Sequence, residues 1–207
     1  AFWKNRDPRF NRACLYNGRE WPVAGRSADN RMYNALGVSN ADDQYGVNPN
    51  AGVNAANNDI FSGMYNYKVS DLSLTQDKVM TFDIDYILMR FAEVMFIYAE
   101  AANENGHSDV AIDWLKQIRK RAGIPGYGET VNLPKPTTTE EVMELIRKEK
   151  RIELSFENCR YFDVRRWGLV NEYFNKAIHG MNVNYDGNEF FKRTEIVKRI
   201  FDRQYFF

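Results

Sequence analysis

Four aromatic residues, Tyr16, Trp21, Tyr33 and Tyr45, sit among Asn, Asp, Arg and Gly, outside any apolar period. A Tyr or Trp in such surroundings offers an apolar face and a polar tip, which suits a binding surface. A sugar has two matching surfaces, a C–H face and a rim of hydroxyls. Rings take the first, and amide or carboxylate groups take the second. Trp21, Tyr33 and Tyr45 are expected to form an aromatic platform, with Tyr16 as an outlying member. Asn30 and Asp42 are the side chains expected to make the hydroxyl contacts. Any one of these rings could equally pack locally; their grouping is what favours a ligand.

Other chemistry finds less support. His107 and His179 are the only histidines, and neither has the spacing of a metal site or an activated nucleophile. No serine elbow, HExxH or phosphate loop is present. Asp83 and Asp85 stand near an expected helix start, where capping explains them. Asn182-x-Asn184-x-Asp186-Gly187 imitates the first half of a calcium loop, but position twelve is Arg193 where a bidentate Glu is required. Asp42 and Asp43 could join an irregular calcium site, although solvated turn residues are the simpler reading. The chain is therefore expected to be non-catalytic, with no metal and no cofactor.

Composition narrows the class further. The 207 residues are 44% hydrophobic and 27% charged, ordinary for a globular protein, and the net charge is zero. A neutral chain has no overall field to attract nucleic acid, so no such partner is expected. No apolar run approaches the roughly 20 residues needed to span a bilayer as a helix. Cys14 and Cys159 are expected to be lone thiols, since two cysteines make no disulfide framework.

The elements that must position the rings fall into three stretches. Residues 1–82 are loop-rich, Asn-dense from 27 to 66, with an alternating GMYNYKVS at 63–70 that predicts a short strand. Residues 83–176 carry helical periodicity and predict two helical hairpins. In the first, Ile84, Ile87, Leu88, Phe91, Val94, Met95, Tyr98, Ala101 and Ala102 mark one stripe, and Asn105-Gly106 stops the helix. Ser108 is the expected cap of its partner, whose Ala111, Trp114, Leu115 and Ile118 share a face. In the second, Thr138 and Glu141 predict a capping box. Val142, Leu145, Ile146, Glu149, Ile152 and Phe156 form its stripe, before a last helix near 160–167. Residues 177–207 read as an irregular tail with a hairpin turn at Asp186-Gly187. The fold class is mainly α, with tetratricopeptide-like hairpins, long irregular loops and a few short strands.

Four runs share one pattern. RKEKRIELSFENCRYFDVRRWG at 147–168 mixes arginine and glutamate with large apolar residues, and resembles the ERRIELAFEGHRYFDLRRWG signature of the SusD/RagB family. YILMRFAEVMFIYAEAANE at 86–104, KQIRKRAG at 116–123 and RDPRF at 6–10 also resemble that family, in the family's order. In the signature, Arg147, Arg151, Arg160, Arg165 and Arg166 are expected to find Glu149, Glu153, Glu157 and Asp163 as partners at helical spacing, a structural role.

The resemblance implies an outer-membrane nutrient-binding lipoprotein. It implies cell-surface glycan binding for uptake together with a SusC-like TonB-dependent transporter, and rings placed on loops outside the helical repeats. It also implies that these residues are the C-terminal part of a longer SusD-like domain, partnered by an N-terminal half that carries the lipid. A peptide-binding uptake protein and a tetratricopeptide-type interaction scaffold remain as alternatives.

Overall fold

The computed structural model describes residues 3–16, 18–22, 24, 64–75, 78, 81–83, 85, 87–181 and 191–201. In chain order the described elements are α1 (Pro8–Ala13), β1 (Cys14–Tyr16), β2 (Met64–Asn66), α2 (Phe91–Glu104), α3 (Ser108–Arg121), α4 (Thr139–Glu153), α5 (Cys159–Arg166), α6 (Val170–Tyr173), β3 (Ala177–Met181) and β4 (Arg193–Lys198). The architecture is mainly α, with tetratricopeptide-like hairpins and short strands in two separate antiparallel pairs. The chain divides into two compact units. One comprises Trp3–Ala13 and Ile84–Arg160; the other comprises Ala1–Phe2, Cys14–Asp83 and Tyr161–Phe207.

The helical unit is built on α2, α3 and α4. Its core joins Ala92, Phe96 and Ala99 of α2 to Ala111, Ile112, Leu115 and Ile118 of α3 and to Val142 and Ile146 of α4, with Tyr127 and Leu154 closing it. Gly106 takes φ 81°, which an L side chain rarely adopts, and lets the His107 amide turn back to the Ala102 carbonyl at 2.8 Å. Asn105-Gly106 therefore ends α2 as the sequence predicts. Asn103 is fully buried and ties three helices together. Its amide nitrogen donates to the Thr139 carbonyl at 3.0 Å, and its oxygen accepts from the Ser108 hydroxyl at 2.7 Å. Both its polar groups are thereby satisfied, which burial demands.

Two expectations for α2 and α3 need correction. Of the periodic stripe, Ile84 lies outside the described residues and most of the rest is exposed, with Met95 alone reaching the edge of the core and Ala102 half-buried. α2 begins only at Phe91, because Arg90 is extended (φ −115°, ψ 155°) and its guanidinium is drawn to Glu157 and Glu153. The face turned to α3 carries the smaller Ala92, Ala99 and Asn103 beside Phe96, a set that permits close approach. Leu88, Phe91, Val94 and Tyr98 stay exposed. Ser108, expected as a cap, is instead the first residue of α3; His107 occupies the cap position without a side-chain bond. The stripe of α3 is as predicted, with Ala111, Leu115 and Ile118 buried and Trp114 half-buried.

Helix α4 starts with the predicted capping box. The Glu141 amide donates to Thr138 Oγ1 at 3.1 Å, and the Thr138 amide returns to Glu141 Oε2 at 3.2 Å. Val142, Ile146 and Glu149 face inward as expected, but the next turn buries Lys150 and Glu153 instead of Ile152 and Phe156. Phe156 sits at φ 65° in the turn to α5 and is exposed. Lys150 Nζ lies 3.8 Å from Glu100 Oε1, so this buried ammonium has a carboxylate beside it.

Arg9, from the RDPRF run, lies against the buried face of α4. It forms a fork to Asp7, with Nε–Oδ1 2.9 Å and Nη2–Oδ2 2.7 Å, and reaches Glu149 Oε2 at 2.8 Å and Glu153 Oε2 at 3.5 Å. Arg119 also pairs with Glu149, and Arg121 with Glu153. Arg90 reaches Glu153 Oε1 at 3.3 Å and holds Glu157 bidentately at 2.8 and 2.7 Å. The Tyr127 hydroxyl donates to Glu149 Oε1 at 2.7 Å. The signature glutamates thus have a structural role, but their partners come from distant segments. Local pairing holds for Arg147 with Glu144 and for Arg166 with Asp163.

In the second unit, β1 and β2 pair with Cys14 opposite Asn66, Leu15 opposite Tyr65 and Tyr16 opposite Met64. Leu15 is the buried anchor of this ribbon. β2 falls within the run that predicts a strand. β3 and β4 pair in register from Ala177–Lys198 to Met181–Arg193, with an irregularity at Ile178/His179. Between these arms in the sequence lies Asp186-Gly187, expected as a turn and outside the described residues. Tyr161 stacks on Phe174 with ring centroids 5.8 Å apart, and Arg199 lies over the Phe174 ring. Neither Cys14 nor Cys159 forms a disulfide.

Candidate functional site

The ribbon formed by β1 and β2 builds the described part of the candidate site. After Tyr16 the chain turns tightly: the Arg19 amide donates to the Tyr16 carbonyl at 3.0 Å, and Gly18 takes φ 81°. An added Cβ at Gly18 would meet nothing within 4 Å, so only the backbone angle requires glycine there. The turn carries the Arg19 side chain back along the ribbon, where Nη1 donates to the Cys14 carbonyl. Its guanidinium carbon then lies 4.2 Å from the Tyr67 ring centroid and 5.8 Å from that of Tyr16. Both distances fall within the range of cation–π attraction.

Of the expected platform, Tyr16 and Trp21 are both half-buried in the second unit, outside the helical hairpins. Tyr16 belongs to the Arg19 arrangement. Tyr33, Tyr45, Asn30 and Asp42 lie outside the described residues. Arg19 and Tyr67, which the structure brings beside Tyr16, are not among the residues expected from the sequence. For Tyr67 a signal existed in the alternation of Tyr65 and Tyr67 in 63–70; for Arg19 there was none, because its place depends on pairing with a strand far along the chain.

The arrangement can stack and donate hydrogen bonds, but it holds no activated nucleophile. Burial pushes the Cys14 thiol up despite the opposing charge of Arg19, which keeps it protonated at neutral pH. Burial likewise raises the Tyr65 hydroxyl. Among the described residues no group of three or more His, Cys, Asp or Glu side chains is placed to hold a metal ion.

The charge cluster of the helical unit is a different kind of site. Burial works against the charge on Arg9, but hydrogen bonds and attraction from Asp7 and Glu149 hold its pKa above the usual arginine value. Burial and the Glu149 charge push the Tyr127 hydroxyl up, so it remains a donor. These groups serve one another.

The model of the SusD family matches residues 1–207. The chain belongs to the SusD family. A relative in Formosa agariphila, SusD-like protein P2, is 36% identical over 106 residues, 50% of this chain and 21% of that protein. SusD-like protein P38 of the same organism is 31% identical over 86 residues, 41% of this chain and 17% of that one. The crystal structure of a SusD-like protein from Bacteroides fragilis superposes with a TM-score of 0.75 at 26% identity. That match covers 97% of this SusD-family chain and 35% of the other, so the chain spans about a third of that structure's length. Among the described residues no helix is long and apolar enough to cross a membrane.

Proposed function

We propose that this SusD-family protein binds oligosaccharide at the cell surface and passes it to a SusC-like TonB-dependent transporter in the outer membrane, without chemistry of its own. In the whole protein a lipid anchor would hold it at that membrane, and an N-terminal half would complete the domain. The observation that carries the binding reading is the Tyr16–Arg19–Tyr67 arrangement, with half-buried Trp21 two residues beyond Arg19. Rings and a donor displayed on a ribbon outside the helical repeats match the two surfaces of a sugar. Tyr33, Tyr45, Asn30 and Asp42 are proposed to extend the same site.

Calorimetric titration of the intact protein, with oligosaccharides first selected on a glycan array, tests this. Trp21→Ala should weaken binding by on the order of 1–3 kcal/mol, by analogy with base–aromatic stacking, while the melting temperature stays close to the parent's. Unchanged affinity in both Trp21→Ala and Tyr67→Ala would move the site elsewhere. Docking to the transporter should survive moderate salt, since zero net charge provides no bulk attraction to screen. Co-purification from solubilised outer membranes across a salt series checks that partner.

A second reading, a peptide-binding or protein-interaction scaffold, draws on the exposed stripe of Leu88, Phe91, Val94 and Tyr98. Binding of peptides and of no glycan would favour it.

A further inference from the structure

Arg19 differs from Arg9, Arg90, Arg119 and Arg147 in what surrounds it. Each of those four side chains is at least partly buried, and each meets a carboxylate within 4.0 Å. Arg19 is also half-buried, yet among the described residues no carboxylate lies within ion-pair distance of it. Its contacts are the Cys14 carbonyl and the rings of Tyr16 and Tyr67. A guanidinium carries five N–H donors and a charge that is never lost at physiological pH. One donor goes to the carbonyl. Among the described residues, the others and the charge have no anionic counterpart.

The geometry also fixes where this charge points. The turn at Gly18, the bond to Cys14 and the tyrosine faces hold the guanidinium in one place before any ligand arrives. A side chain ordered beforehand loses little freedom on binding, which removes much of the usual cost of using a long arginine. Planar guanidinium groups pair with two-oxygen anions through parallel hydrogen bonds. The chain as a whole is neutral, so no general field would draw acidic ligands, and any preference for them must be local.

We infer that Arg19, flanked by Tyr16 and Tyr67, forms a subsite for an acidic sugar residue, one bearing a carboxylate or a sulfate. This rests on the glycan-binding reading above. The tyrosines would take the ring's C–H face and Arg19 its anionic group.

The test uses the intact protein and three probes: an oligogalacturonide, its carboxyl-reduced neutral counterpart, and a sulfated galactan oligosaccharide. At low salt at least one charged probe should bind roughly tenfold or more tighter than the neutral one, as charge-assisted hydrogen bonds allow. Whichever charged probe wins identifies the anion. Arg19→Gln should abolish that ratio by weakening the charged probe far more than the neutral one, whereas a purely structural role for Arg19 would weaken both alike. Arg19→Lys, which keeps the charge and loses the fork, should retain a reduced ratio that shrinks further as salt rises. It decides the matter if Arg19→Gln fails to fold. Equal binding of charged and neutral probes, or a ratio unmoved by Arg19→Gln or insensitive to salt in Arg19→Lys, overturns the acidic subsite and leaves the glycan reading standing. Absence of binding to these probes and to every glycan on an array overturns both.

Discussion

Arg9 and Glu149 form the central ion pair of the helical unit, with Nη2 and Oε2 2.8 Å apart and both side chains almost wholly removed from solvent. Such a pair contributes less to net stability than its distance suggests, because both charges were desolvated to make it. Breaking it is another matter. Arg9→Met would leave Asp7, Glu149 and Glu153 with less compensating charge in a buried place.

The expected cost of Arg9→Met is about 3–5 kcal/mol, the range for removing one member of a buried pair. Urea denaturation monitored by circular dichroism measures it. A loss under about 1 kcal/mol would mean that Arg119 and Arg121 suffice for the two glutamates.

Stability should fall with acid, and Asp7 contributes to the fall. Its hydrogen bonds to Arg9 outweigh the opposing effect of burial and hold its pKa below the ordinary carboxylate value. A group with a depressed folded pKa stabilises fully above its unfolded value, about 3.9, and progressively less as pH falls through the folded one. Glu141 shifts the same way, held low by the amide and hydroxyl of Thr137 and the amide of Thr138. Denaturation midpoints should therefore drop between pH 5 and pH 3, estimated limits that bracket the ordinary carboxylate range. Asp7→Asn should shallow that slope; an identical slope would remove Asp7 from the account.

Thr138→Ala should destabilise by about 1 kcal/mol, the typical loss for an N-cap hydroxyl. Thr138→Ser keeps the acceptor oxygen and should recover most of it. Thermal melts of the two variants side by side distinguish loss of the cap from loss of the Thr methyl.

A bulky exposed stripe lies on and just before α2. Phe91, Val94 and Tyr98 fall at helical spacing on its exposed side, and Leu88 is exposed just before the helix begins. Contiguous apolar patches of this sort mark association sites. A sample of residues 1–207 should associate with rising concentration in sedimentation velocity, and Leu88→Ser with Phe91→Ser should shift it towards monomer. Monomeric behaviour of the parent at every concentration would show that the stripe drives nothing.

The helices were legible from the sequence because their signals are local. The capping box at Thr138 and Glu141, the stop at Asn105-Gly106 and the stripe of α3 each need only neighbouring residues. The errors arose where a distant group intervened. Arg90 leaves the helix to meet Glu157, and α2 packs through its small residues, so hydrophobic period alone selected the wrong face. The partners of Glu149 and Glu153 come from Arg9, Arg90, Arg119 and Arg121, and no i to i+4 rule finds them. The residues of the proposed site divide in the same way. Tyr16 and Trp21 stood out by their polar surroundings, whereas Arg19 gains meaning only when β1 meets β2.

Arg9 and Arg90 share a single carboxylate, Glu153, at 3.5 and 3.3 Å. One arginine precedes the stretch 14–83 and the other follows it. The two ends of that stretch are thus tied off at one knot within the helical unit. Tyr16, Trp21, Asn30, Tyr33, Asp42 and Tyr45 all lie inside it. Lengthening a tied-off excursion costs only about 0.6 kcal/mol for each doubling. The scaffold can therefore keep its knot while the excursion is rewritten, which would make the proposed recognition segment an exchangeable cassette whose changes leave the problem of folding closed.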